Sequence, residues 1–69
     1  MLSMELKDLG NNIAKSRMAK GLSAYELSQR IGRDRSYISQ VEVGKINISI
    51  KTLLDICQVL EISPRDLFA

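Results

Sequence analysis

The chain has no histidine, which removes the commonest general base and the usual nucleophile–histidine arrangements. A single cysteine, Cys57, excludes an internal disulfide and a Cys/His cluster for zinc, and points to a reducing compartment. There is no glycine-rich phosphate loop and no paired-carboxylate motif. No apolar run approaches the ~18 residues of a membrane span. The opening Met1-Leu2-Ser3-Met4-Glu5 lacks the basic and long apolar regions of a signal peptide. These absences predict a cytoplasmic, non-enzymatic chain with no catalytic residue, cofactor, metal, membrane contact or evident small-molecule ligand.

The 69 residues predict one domain, 1–69, with no second domain to sense a ligand. Such a chain buries only about 60% of its unfolded surface, so its core must be economical. The net charge of +2 conceals an uneven distribution. Between Lys15 and Lys51 stand eight basic residues and three acids, Glu26, Asp34 and Glu42, whereas both ends are acidic. A basic middle fits a polyanionic partner.

Helix signals dominate the pattern. Leu6, Leu9, Ile13 and Arg17 form a stripe on a helix of about 4–19 that Gly21 ends. In "LSAYEL", Ser23 and Glu26 make a capping box, and Leu22 and Leu27 a hydrophobic staple. The helix they open, about 24–31, stops at Gly32. Asp34 is expected to cap a third helix, 35–43, closed by Gly44. Ser49 opens a fourth, 50–60, whose Leu53, Leu54, Ile56, Cys57 and Leu60 are expected to make a broad apolar face. Cys57 is expected there as a small buried hydrophobe. Ser63, Pro64 and Asp66 start a fifth, 64–68. "KINISI" alternates like a strand, but it has no second strand to pair with, so an extended connection is expected. The predicted class is all-α, a compact five-helix bundle.

Two short helices around "GRD" meet the needs of a helix-turn-helix at about 24–43. Gly32 supplies the turn and Ser28 a small residue for close approach, while Leu27, Ile31, Ile38 and Val41 supply apolar contacts. "GLSAYELSQRIGRDRSYISQVEVGK", followed by "SIKTLLDICQVLEISPRDLF", resembles the lambda-repressor-like, Cro/cI type (Xre) helix-turn-helix family. The likeness covers about residues 9–68. It implies a DNA-binding regulator whose third helix enters the major groove while the second crosses the backbone. At about 100° per residue, Ile38, Val41 and Glu42 share one side of that helix, and Ser36, Ser39, Gln40 and Val43 the other. Arginine, glutamine and serine suit base edges. Arg35, Ser36 and Gln40 also match positions where the family reads bases, and Ser39 shares their face.

Lys45 matches a family position near the backbone, and Arg33 and Tyr37 flank the reading face as further phosphate contacts. Backbone donors are expected around Ser23, Ala24, Asn47 and Ser49. The family commonly opens helix two with glutamine on a phosphate, and Ala24 stands there here. Ser23 and Tyr25 are candidates to replace that contact. The resemblance also pairs Arg17 with Glu42, a charged link orienting helix three. Ile46, Ile48 and Ile62 either close the core or form a homodimer patch that spaces two recognition helices one DNA turn apart. Val43 either touches a thymine methyl or lies beyond the groove. The leading expectation is a repressor binding a palindromic operator as a dimer. The alternative is a protein-interaction module, an antitoxin or adaptor on the same fold.

Overall fold

The computed structural model describes residues 4–68, which form four α-helices and a closing 3-10 turn. In chain order these are α1, Leu6–Ala19; α2, Ala24–Arg30; α3, Tyr37–Glu42; α4, Ile50–Leu60; and the turn Pro64–Leu67. The described residues include no strand. The fifth expected helix is thus corrected to a 3-10 turn. Its bonds run three residues back, Asp66 N–H to Ser63 O at 2.9 Å and Phe68 N–H to Arg65 O at 3.1 Å.

The boundaries of α2 follow from its own side chains. The Ser23 hydroxyl accepts the Glu26 N–H at 3.0 Å, and the Glu26 carboxylate accepts the Ser23 N–H at 2.9 Å. At the other end Gly32 adopts φ +75°, a left-handed conformation that a β-carbon disfavours. Its N–H donates to Gln29 O at 3.0 Å and the Arg33 N–H to Ser28 O at 2.9 Å, so the last carbonyls are satisfied. α4 ends with the same left-handed step, taken by Glu61 at φ 57° instead of a glycine. Glu61 also pairs with Lys20 at the end of α1.

The Glu26 carboxyl is held below its ordinary value of 4.5, first by the Ser23 N–H and then by the Ser23 hydroxyl. A depressed carboxyl pKa stabilises the fold above the unfolded value, and that stabilisation is lost as pH falls through the folded value. The stability advantage of the natural chain over Glu26→Gln is therefore expected to shrink from neutral pH to about pH 3. Urea unfolding at the two pH values checks this, and a constant difference contradicts it.

The α3 start differs from expectation. Asp34 does not cap a helix beginning at residue 35; its Oδ1 accepts the Ser36 N–H at 3.0 Å, two residues on. That bond makes a turn of residues 34–36, and α3 starts only at Tyr37. Arg35 and Ser36 therefore sit just before the helix.

The core takes Ile13 from α1, Leu27 from α2, Ile38 and Val41 from α3, and Leu53, Ile56, Cys57 and Leu60 from α4. Leu67 of the 3-10 turn is fully buried beside them. Its carbonyl accepts the Asn12 side-chain N–H at 2.8 Å, which ties the turn back to α1. Burial pushes the Cys57 thiol up, so it remains protonated at neutral pH.

Residues 45–49 of "KINISI" run as an extended connection whose Ile46 and Ile48 pack on the core while Asn47 faces out, and Ile50 opens α4 with its side chain exposed. One wet and one dry face explains its strand-like alternation without a partner strand. Among the described residues no helix is long and apolar enough to cross a membrane.

Candidate nucleic-acid interface

Ser28 joins the two helices of the central motif. It is fully buried; its hydroxyl donates to Ala24 O at 2.9 Å and accepts the Ile38 N–H at 3.0 Å. One small side chain thus fills the crossing and satisfies a backbone donor at the start of α3. A larger apolar residue would do neither.

α3 is anchored on one side and open on the other. Ile38 and Val41 are buried, and Glu42 meets Arg17 of α1 in a two-bond fork. Arg17 Nε donates to Glu42 Oε2 at 2.7 Å and Nη2 to Oε1 at 3.0 Å. A third donor, Nη1, reaches Leu22 O at 2.8 Å in the loop before α2. The two side chains keep only 14% and 13% of their surface in water, so the pair is nearly dry. The Glu42 carboxylate raises the Arg17 pKa further above its already high ordinary value, and the guanidinium stays charged at every working pH.

The opposite side of α3 and the turn before it present Arg35, Ser36, Ser39, Gln40 and Val43, all exposed. Val43 is 60% exposed, with no core role. Ser36 and Gln40 are linked, the Gln40 Nε2 donating to Ser36 Oγ at 3.0 Å. The Arg35 guanidinium enters none of the ion pairs among the described residues.

The candidate phosphate residues divide by how committed they already are. Lys45 and Asn47 are exposed in the loop after α3. Tyr25 is 53% exposed at the first turn of α2. Tyr37 packs partly on the core. Arg33 donates from Nη2 to Thr52 Oγ1 at 2.9 Å, and its guanidinium lies 4.6 Å from the Tyr37 ring centroid. It therefore braces the central turn against α4 while four of its five N–H donors remain for an anion. The Ser23 N–H, expected as a free donor, is taken by Glu26, which leaves the first N–H groups of α2 itself, at Ala24 and Tyr25.

Sequence reasoning missed two apolar side chains that stay in water on α4, Ile50 at 71% and Leu54 at 49% exposure. They lie four residues apart and so share a face. The expected patch residues Ile46, Ile48 and Ile62 are instead half-buried against the core. The signal was available in the spacing, but Leu54 reads as core because it adjoins Leu53. Among the described residues no His, Cys, Asp and Glu cluster could hold a metal ion.

A family model described as "Helix-turn-helix" matches residues 13–67. An uncharacterized HTH-type transcriptional regulator, y4dJ of Sinorhizobium fredii, is 36% identical over 61 residues, covering 87% of this chain and 79% of the relative. The restriction-modification controller protein C.AhdI from Aeromonas hydrophila has 41% identity and a TM-score of 0.86, over 91% of this chain and 96% of that one. SinR, a master regulator for biofilm formation solved in complex with DNA, superposes with a TM-score of 0.80 and 34% identity. That match covers 88% of this chain and 98% of SinR. The family and these relatives are regulators, not enzymes. With its lambda-repressor-like arrangement of α2 and α3, the chain belongs to the Xre/Cro–cI type helix-turn-helix family of transcriptional regulators.

Proposed function

We propose that this regulator, acting in the cytoplasm as one domain, is a repressor that binds a palindromic DNA operator as a homodimer, with α3 in the major groove. The observation that carries the reading is the two-sidedness of α3. Its inner side is locked by Ile38, Val41 and the Arg17–Glu42 fork. Its outer side offers hydrogen-bonding side chains, and the acid beside them, Asp34, is bonded to Ser36. Arg35, Ser36, Ser39 and Gln40 read base edges, and Val43 adds an apolar surface suited to a thymine methyl. Lys45, Asn47, Arg33, Tyr37, Tyr25 and Ser23 approach phosphates and set the register. Dimerisation uses the region of Ile46, Ile48 and Ile62, extended by the exposed Ile50 and Leu54. The DNA-bound SinR relative supports the groove reading.

Binding to duplexes selected from a random pool, each compared as a half-site and as an inverted repeat over a salt series, tests this. Affinity is expected to fall with salt at a slope of ~0.9 per phosphate contact, and inverted repeats to bind more tightly than half-sites. Arg35→Ala is expected to cost ~1–3 kcal/mol and to relax one base pair, whereas Lys45→Ala weakens all sequences alike. If no duplex is bound at low salt, the reading fails and the helical surface serves a protein partner instead.

A further inference from the structure

Three polar side chains at the head of α3 form a directed chain. Asp34 Oδ1 accepts both the Ser36 N–H at 3.0 Å and the Ser36 hydroxyl at 3.1 Å. Ser36 Oγ in turn accepts the Gln40 Nε2 at 3.0 Å. The polarity of this chain follows from chemistry. An ionised carboxylate only accepts, so the one hydroxyl proton of Ser36 points to Asp34. The Ser36 oxygen is then left as an acceptor, and only the nitrogen end of the Gln40 carboxamide satisfies it.

A solvated glutamine side chain turns its amide over freely, exchanging donor and acceptor. Here one orientation is held. Gln40 spends one N–H on Ser36 and keeps its carbonyl oxygen and second N–H. That remaining pair matches adenine, whose N6 donates and whose N7 accepts in the major groove.

We propose that Asp34 is a positioning residue for base readout: acting through Ser36, it fixes the orientation of the Gln40 carboxamide and so selects adenine at one operator position. The proposal rests on α3 lying in the major groove. Asp34 itself touches no base in this scheme, and as an acid it is a poor phosphate neighbour. Its contribution lies in fixing the Gln40 amide before DNA arrives, when the ordering cost is already met within the protein.

The test is base preference measured position by position, by competition among duplexes that vary one base pair at a time. Gln40→Ala identifies the position that residue reads. At that position the natural chain is expected to favour adenine by roughly tenfold or more, the discrimination of a good two-bond contact. Asp34→Ala and Ser36→Ala should each reduce that preference several-fold. Asp34→Asn, which keeps an acceptor oxygen for Ser36, should retain it. In a Gln40→Ala background, Asp34→Ala should change nothing further at that position.

A purely structural Asp34, holding only the turn, would lower affinity for all duplexes in proportion and leave the preference untouched. That result, or an unchanged preference in Ser36→Ala, whose backbone N–H bond to Asp34 survives, overturns the proposal while leaving DNA binding by α3 standing. Failure of the natural chain to bind any duplex overturns the underlying reading instead.

Discussion

Arg17→Met is expected to lower the unfolding free energy by about 3 kcal/mol, since it strands the Glu42 carboxylate in a site that water barely enters. Glu42→Leu should cost a similar amount for the mirror reason, leaving a guanidinium with only the Leu22 carbonyl. A domain of this length has roughly 3–10 kcal/mol in total, so either change removes about 30% or more of it. Both figures lie at the low end for buried pairs because each side chain keeps a little of its surface wet. The double variant Arg17→Met/Glu42→Leu should be more stable than either single one, because two apolar side chains can share the vacated space. Urea midpoints for the four proteins measure this coupling. Single losses of only ~0.5 kcal/mol, as for surface pairs, would show that the fork is solvated in solution.

The sequence pattern shows only half of that link: Arg17 interrupts an apolar stripe and Glu42 lies on the buried side of α3, but it is the family resemblance that pairs them. The α2 boundaries were legible, because the Ser23–Glu26 box and the Gly32 closure are local chemistry within a few residues. The two sides of α3 followed from helical spacing alone, with Ile38 and Val41 buried and Ser39 and Gln40 exposed.

What was not legible involves competition between partners. Asp34 has two uses open to it, capping a helix at its third N–H or closing a turn at the second residue on, and composition does not choose between them. Glu61 adopts a left-handed conformation with no glycine to signal it. Arg33 reads as a free surface charge until Thr52, nineteen residues away, is brought beside it. Ile46, Ile48 and Ile62 have the same apolar character as Ile50 and Leu54, and only the path of the chain decides which are covered.

Gly10 offers the sharpest conflict between local preference and packing. It lies inside α1, where alanine is normally favoured over glycine by about 1 kcal/mol. Helix propensity alone therefore predicts that Gly10→Ala stabilises the protein. Yet Gly10 is buried, and a β-carbon there would fall 2.6 Å from the Val41 carbonyl oxygen and closer still to that of Glu42. Both obstacles are backbone of α3, so no side-chain rotation relieves them. α1 and α3 would have to separate, loosening the Arg17–Glu42 fork and the nearby approach of Gly44 to Lys7, where a β-carbon on Gly44 would fall 3.1 Å from the Lys7 Cα. Overpacking of this kind costs about 3 kcal/mol against rigid backbone, which outweighs the propensity gain and leaves a net loss of about 2 kcal/mol. For a domain of this size that is a fall of roughly 8–16 °C in Tm. Lys15→Ala, on the exposed face of the same helix, provides the control and should change Tm little. If Gly10→Ala instead raises Tm, α1 does not press on α3, and the Arg17–Glu42 fork is what links the two helices. If Tm falls as expected, α3 is held against α1 by backbone contact as well as by charge. In that case Gly10→Ala and Arg17→Met, which loosen the same α1–α3 contact, should combine to less than the sum of their separate costs.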